Sequence, residues 1–219
     1  MGSTREALGR GALGALAIAA VFCSQPSPAQ SDKTVIVTDA IIGEPPTLDP
    51  MITTADVVAA PSEHIFETLF TFDSRWKVRP LLAESMPKIS AGGLAYAIPV
   101  RRGVVFHDGS KMTAEDVAAS LRRWEAVATF GKDAAPHIER IDATDDHTVT
   151  IRLREPYTPL LSLLAIQVSA AVVVPKGYIK GDQLTKLVGT GPYSLAEHKA
   201  DQYIKLVRFK GYVSRKEPA

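Results

Sequence analysis

Tyr96-Ala97-Ile98-Pro99-Val100-Arg101-Arg102-Gly103-Val104-Val105-Phe106-His107-Asp108-Gly109-Ser110-Lys111-Met112-Thr113-Ala114-Glu115-Asp116-Val117-Ala118-Ala119-Ser120-Leu121-Arg122-Arg123-Trp124 is the stretch on which this 219-residue sequence turns. Leu94, Tyr96, Ile98 and Val100 alternate with Ala95, Ala97, Pro99 and Arg101, the period of a strand buried on one face. Pro99 has no N–H to give to a ladder, so this strand is expected at a sheet edge or with a bulge. Two turns follow, Arg101-Arg102-Gly103 and His107-Asp108-Gly109-Ser110, each with a glycine where the backbone calls for positive φ. Thr113 stands three residues before Asp116, close to a capping box, and Glu115 and Asp116 suit the positive end of a helix dipole. Val117, Leu121 and Trp124 continue at helical spacing with Arg122 and Arg123 toward the far end, which predicts a helix with one apolar face.

Working outward, Ile138–Ala143 and Thr148–Leu153 alternate on either side of Thr144-Asp145-Asp146-His147, the signature of a hairpin. Turn chemistry accounts for Asp142, Asp145, Asp146 and His147 without a metal. A short helix entered through Pro159, with a leucine-rich face, is expected up to Ile166, and Ala170–Val174 reads as a buried strand ended by Pro175. Gly189-Thr190-Gly191-Pro192-Tyr193 lacks the lysine and hydroxyl residue of a phosphate loop, and Pro192 follows at once, so a nucleotide site is not expected. Tyr203–Phe209 makes a last alternating strand.

Upstream, Thr34–Thr38 is a β-branched, strand-like run, followed by the proline-stiffened turn Gly43-Glu44-Pro45-Pro46-Thr47-Leu48-Asp49-Pro50. Between Ala55 and Leu69 the apolar residues fall at mixed helical spacings with Pro61 among them, which predicts a helix starting near Pro61 or Ser62. Phe70, Phe72 and Trp76 predict a small hairpin whose aromatics pack together.

Several of these pieces together resemble the family 5 extracellular solute-binding proteins, the receptors of ABC importers for peptides, nickel and related solutes. The resemblance rests on Arg102-Gly103-Val104-Val105-Phe106-His107-Asp108-Gly109 with Thr113-Ala114-Glu115-Asp116-Val117, on Glu44-Pro45-Pro46-Thr47-Leu48-Asp49-Pro50, on Glu67-Thr68-Leu69, on Pro80-Leu81-Leu82-Ala83-Glu84-Ser85 and on Gly189-Thr190-Gly191-Pro192-Tyr193. Pro99 departs from the family's usual strand residues, and Lys210-Gly211-Tyr212 is a degraded form of its Asn-x-x-Tyr-Trp ending. The resemblance implies an α/β fold, the first lobe of a type II (cluster C) periplasmic binding protein with a mixed sheet and flanking helices. It is incomplete here, because family members are longer and their second lobe would follow Tyr212. It also implies a monomer that captures a small solute, foremost a short peptide, for an ABC permease in the membrane. No cofactor and no catalytic residue is implied. Glu44, Thr47 and Tyr193 become the expected rim of the ligand cleft. His107 and Asp108 are expected to stabilise a turn.

Residues 1–29 have the plan of an export signal: Arg5 and Arg10, an uncharged run from Gly11 to Val21, and Ser27-Pro28-Ala29 at the cleavage positions. That leaves residues 30–219 as the mature lobe, in the periplasm. Phe22 before Cys23 is bulkier than a lipidation site takes, and Glu6 stands where a twin-arginine signal has its second arginine. The formal charge is +1, and removing the signal takes two positive charges and one negative. A balanced surface of this kind lacks the basic footprint of a nucleic-acid binder. The signal also carries the single cysteine, so a mature chain has no disulfide to form. Two rivals remain at this stage. One is an exported hydrolase using His107 and Asp108 with Ser110 or Ser120, although no Gly-x-Ser-x-Gly elbow occurs. The other is a nickel or haem receptor of the same architecture, which the five scattered histidines do not favour.

Overall fold

A computed structural model describes residues 35–215. The export signal, Cys23 and Thr34 therefore lie outside the described residues. The chain divides into Met1–Asp39 and Ala40–Ala219, and the helices and strands named below all belong to the second unit. Val35, Ile36 and Val37 are 84%, 82% and 87% exposed and take no strand, contrary to the expectation. Branched side chains favour an extended backbone, but only a partner's N–H and C=O groups turn that preference into a ladder. No described strand offers them here.

The fold's centre is an antiparallel sheet of order β3-β4-β6-β5, made of Lys88–Ile89 (β3), Ala95–Pro99 (β4), Ile138–Asp145 (β5) and Thr148–Leu153 (β6). The alternation in β4 is realised: Tyr96, Ile98 and the following Val100 are buried. β4 is internal, and the edge expected at Pro99 is not open: Pro99 O accepts the Glu84 N–H at 2.8 Å and Ala83 bridges Val100 on that side. Val100 donates to His147 O and Leu94 O accepts from Leu153 N–H. By antiparallel alternation the Pro99 nitrogen then faces the other side, beyond the pairing of β3 with Tyr96 and Ala97. The hairpin of β5 and β6 forms as expected, with register shifts after Ile138 and Ala143.

Helix α2 (Ala114–Val127) lies across β5 and β6. Its start is a full capping box, with Thr113 and Asp116 exchanging side-chain and backbone hydrogen bonds. Val117, Leu121 and Trp124 are buried against the sheet, each burial of this kind contributing roughly 1.5–3 kcal/mol. A short helix α3 (Thr129–Ala134) follows, and Leu160–Leu163 (α4) forms behind Pro159 with Leu160 and Leu164 in the core.

Three expectations are corrected. Helix α1 runs over Asp56–Ile65 with Pro61 inside it. The one missing donor is outweighed by burial of Val58, Pro61, Ser62 and Ile65 on a single face. Ala170–Val174 is fully buried but is no strand. Its polar groups find other partners: Ser120 Oγ donates to Val174 O and accepts its N–H, the Val173 N–H donates to Glu67 O, and just before the segment Trp124 Nε1 donates to Ser169 O. A single bridge, Thr68 to Val172, is all the sheet-like pairing it makes. The predicted hairpin of Phe70–Phe72 (β1) and Val78–Pro80 (β2) is present, with Phe70 in the core, but Trp76 stands 81% exposed at its tip. The Phe72 ring meets it at 5.7 Å between centroids, tilted by 52°.

Small pairs Ile179–Lys180 (β7) and Gln183–Leu184 (β8) come next. The long hairpin of Tyr193–Lys199 (β9) and Tyr203–Arg208 (β10) closes the described chain and packs beside α1.

Candidate functional site

The loop from Gly43 to Met51 is built by local and distant bonds together. Thr47 Oγ1 accepts the N–H of Asp49 at 3.1 Å, and Asp49 Oδ1 accepts the N–H of Met51 at 3.1 Å, two short-range turns of the type hydroxyl and carboxylate side chains favour. The Asp49 carboxylate then meets the Arg123 guanidinium from α2, both groups buried. Arg123 also donates to Asp182 O at 3.1 Å and 2.9 Å, so one side chain ties α2, this loop and the β7–β8 turn. Ahead of that anchor, exposed Glu44 reaches the tip of the β9–β10 hairpin. Its Oε1 lies 2.6 Å from His198 Nε2, and its Oε2 accepts the Asp201 N–H at 3.0 Å.

The Gly189–Tyr193 loop rests on the C-terminal end of α1 so closely that side chains have no room. A Cβ on Gly189 would stand 2.1 Å from Ile65 O, and one on Gly191 2.5 Å from His64 O. Gly191 N–H donates to Ile65 O at 3.0 Å. His107 holds the loop from the opposite side. Its backbone N–H donates to Gly189 O at 3.0 Å, its Nε2 bonds Gly191 O at 3.0 Å and its Nδ1 accepts the Gly189 N–H at 3.3 Å. Those bonds assign the neutral tautomer with the proton on Nε2. Burial agrees, pushing the His107 pKa down against the opposing pull of the Gly191 carbonyl and of Glu67 and Asp108. Phe209 covers the imidazole edge-on at 4.9 Å. Both glycine N–H groups are thus spent on protein acceptors, which removes the phosphate-loop reading on geometric grounds.

Asp108 caps the neighbouring turn, accepting from the Ser110 N–H at 2.9 Å, the Ser110 hydroxyl at 2.6 Å and the Tyr178 hydroxyl at 2.9 Å. Burial alone would raise its pKa, but these hydrogen bonds outweigh it and hold the carboxyl below its usual range. The groups named for a hydrolase therefore form no relay. Ser110 is bound to Asp108, Ser120 is buried on Val174, and both ring nitrogens of His107 face the glycine loop. Among the described residues no group of three His, Cys, Asp or Glu side chains stands close enough to hold a metal.

Two adjoining cavities open where this loop meets the end of the described chain, sharing Pro192 and Tyr212 in their walls. The smaller, about 290 Å³, is lined by Glu63, Phe66, Glu67, Thr71, Leu81 and Gln167 as well. The larger, about 740 Å³, adds Tyr193, Arg208, Phe209, Lys210 and Ser214. Glu67 is not free there: Arg215 grips it with Nη2 at 2.8 Å and Nε at 3.1 Å, while the Arg215 guanidinium lies 5.0 Å over the Tyr212 ring. Tyr193, 39% exposed, stands edge-on to His64 at 5.7 Å.

Of the three expected rim residues, Tyr193 lines the larger cavity. Glu44 holds the hairpin tip, and Thr47 shapes its own turn; neither lines these cavities. Sequence reading missed Arg123, which looked like a solvated helix end, and it missed Glu63, Arg208, Lys210 and Arg215. Arg123 carried a signal: it falls one turn before Val127 on a helix whose Ser120 and Trp124 are also buried, so helical spacing turns it inward. Arg215 carried none.

Comparison with known proteins gives a consistent result. The profile of the bacterial extracellular solute-binding proteins, family 5 (middle region), matches residues 77–219. A probable peptide ABC transporter periplasmic-binding protein, y4tO, of Sinorhizobium fredii is 32% identical over 78% of this chain and 32% of its own length. The glutathione-binding protein GsiB of Escherichia coli O1:K1 is 32% identical over 94% of this chain and 40% of its own. Among solved structures, the periplasmic binding protein DppA of Helicobacter pylori, in complex with the peptide STSA, superposes with a TM-score of 0.68 at 27% identity. That superposition covers 80% of this chain and 39% of DppA. The chain thus spans about a third to two fifths of the length of these relatives.

Proposed function

This chain belongs to the bacterial extracellular solute-binding proteins of family 5, and from that premise we propose that it captures a solute, a short peptide, as the substrate-binding component of an ABC importer. The fold is that of type II periplasmic binding proteins, and the homologues are transport receptors rather than enzymes. In this reading residues 1–29 direct export to the periplasm and residues 30–219 form the first lobe, acting as a monomer that presents its solute to a membrane permease. Tyr193 belongs to the rim of the cleft; Glu44 serves it from behind by holding the hairpin that carries Tyr193, and Thr47 by shaping the loop that carries Glu44.

The observation that carries the proposal is the open double cavity walled by the Gly189–Tyr193 loop, a motif fixed to the body by close backbone contact while its tyrosine is left to solvent. A rigid backbone with an exposed aromatic beside polar groups suits capture of a flexible ligand, because little of the wall must be ordered on binding. Receptors of this architecture signal occupancy by domain closure, and the solute drives that change only through differential affinity for the closed state.

Thermal melting of the purified chain tests the reading. A tripeptide bound by the folded state alone raises Tm progressively with its concentration. Concentration-dependent stabilisation by nickel or haem with none by peptides would reassign the solute, and hydrolysis of a peptide or ester substrate without stabilisation would replace capture by catalysis.

A further inference from the structure

The tip of the β1–β2 hairpin carries a tryptophan where the backbone asks for glycine. Asp73 N–H donates to Lys77 O and Trp76 N–H to Asp73 O, both at 2.9 Å, which closes the short loop Ser74-Arg75-Trp76 between the strands. Trp76 takes φ 58°, the left-handed position that ends such a loop and that glycine fills without strain. A bulky side chain persists there only where its surroundings over-determine the backbone. Asp73 supplies that: its Oδ1 accepts the Arg75 and Lys77 N–H groups at 2.9 Å each, and its Oδ2 accepts from Arg79 Nε at 2.8 Å. Folding gains little from the ring in return, since Trp76 is 81% exposed and meets only the half-buried Phe72 ring. On either side of it Arg75 and Lys77 are exposed, and among the described residues neither side chain has a hydrogen-bond or ion-pair partner. Asp73 is the one acid between Phe70 and Pro80, and Arg79 neutralises it, so the tip presents an aromatic ring between two uncompensated cations.

We propose that this tip docks the protein on a membrane surface bearing anionic phospholipid, with Trp76 among the headgroups and Arg75 and Lys77 against their phosphates. An indole has an apolar body and one polar N–H, which suits the boundary between headgroups and acyl chains, and cations beside it are drawn to the negative surface. A protein partner is the poorer fit. A specific protein interface takes about 800 Å² from each side, whereas one ring and two charges form a point of contact rather than a face. Contact through so small a tip is reversible, holding the chain near the bilayer without anchoring it. The proposal is independent of peptide capture, because it needs no ligand in the cavities.

Co-sedimentation of the full chain with vesicles of phosphatidylglycerol and phosphatidylethanolamine, against vesicles of phosphatidylcholine, tests it, with hydrogen–deuterium exchange over residues 73–78 as the local readout. The anionic vesicles are expected to bind the chain more tightly, to release it as salt rises from about 0.05 M to about 0.5 M, and to slow exchange at the tip. Arg75→Gln combined with Lys77→Gln should weaken binding about 25-fold, since each cation near such a surface is worth about fivefold. Trp76→Gly should weaken it about tenfold while Tm holds or rises, because glycine relieves the strained φ. Lys199→Gln combined with Lys205→Gln, exposed charges on the β9–β10 hairpin, should leave binding unchanged. Should Trp76→Gly fail to fold, the charge variants and the exchange at the wild-type tip decide. Equal binding to phosphatidylcholine, or attachment that leaves tip exchange as it was and ignores the tip variants, overturns the inference and leaves peptide capture standing. So does a lower Tm for Trp76→Gly with vesicle binding intact, which would make the ring a structural one.

Discussion

The loop from Gly43 to Met51 and the loop from Gly189 to Tyr193 both hang from the same body of helix and sheet, but they are fastened by opposite means. The first is held by charge. Arg123 and Asp49 meet out of water, and a second, exposed carboxylate, Glu44, ties the loop to a hairpin tip. The second is held by shape and by a neutral ring. Two glycines press on α1, and His107 spans the loop as an uncharged imidazole. A charged anchor is strong while both partners are present and costly when one is lost. A close-packed, uncharged anchor tolerates no added atom and no added proton.

That contrast can be broken at its strongest point first. Arg123→Met leaves the Asp49 carboxylate buried without its partner and should cost about 3–5 kcal/mol in urea unfolding, whereas adding Asp49→Leu to it should recover much of the loss. If the single and double variants were equally unstable, charge would not be what holds the first loop. Gly189→Ala comes next. Its Cβ would overlap Ile65 O, and relief by backbone movement should cost about 1–3 kcal/mol, or more if α1 must shift.

The third effect depends on pH. Burial depresses the His107 pKa below its ordinary value of 6.5, so just below that pH the unfolded chain binds a proton that the folded chain refuses. His107 therefore contributes full stability above about pH 6.5, and the contribution is lost as pH falls toward its folded value, at up to about 1.4 kcal/mol per pH unit. Glu63 and Glu125, whose carboxyls burial raises above the ordinary 4.5, work in the opposite direction from that pH upward to their folded values. The comparison to make is thus between wild type and His107→Gln, and the difference in melting temperature between them should shrink on acidification from pH 7 to pH 5. Asp73, held at about 2 chiefly by the Lys77 backbone N–H, loses its contribution only below about pH 3.8, outside that window. The smallest effect is expected at Glu44. Glu44→Gln keeps part of the contact to His198 and Asp201 and should cost less than about 1 kcal/mol, since the pair is exposed to solvent.

The sequence announced the parts of the fold that depend on neighbours in the chain. The Thr113 capping box, the glycines at φ 73° and 86° in the two turns, and the alternation of β5 and β6 all follow from residues a few positions apart. What it hid depended on distant partners. Nothing near Ala170–Val174 says that Ser120 would take the Val174 backbone groups in place of a strand, and nothing near Pro61 says that the buried face of α1 would outweigh a missing donor. The candidate site divides in the same way. Tyr193 was legible because it closes a recognisable run, while Glu63, Arg208 and Lys210 gain their meaning only from a hairpin that folds back on α1.

The placement of the two tryptophans has a practical side. Trp124 is sealed in the core with its indole N–H on a carbonyl, and Trp76 stands in water at a hairpin tip. The emission spectrum of this chain should therefore be a sum of a blue component and a red one. Acrylamide should quench the red one first, and with Trp76→Phe the remaining glow should become a clean optical gauge of whether α2 is still seated on its sheet.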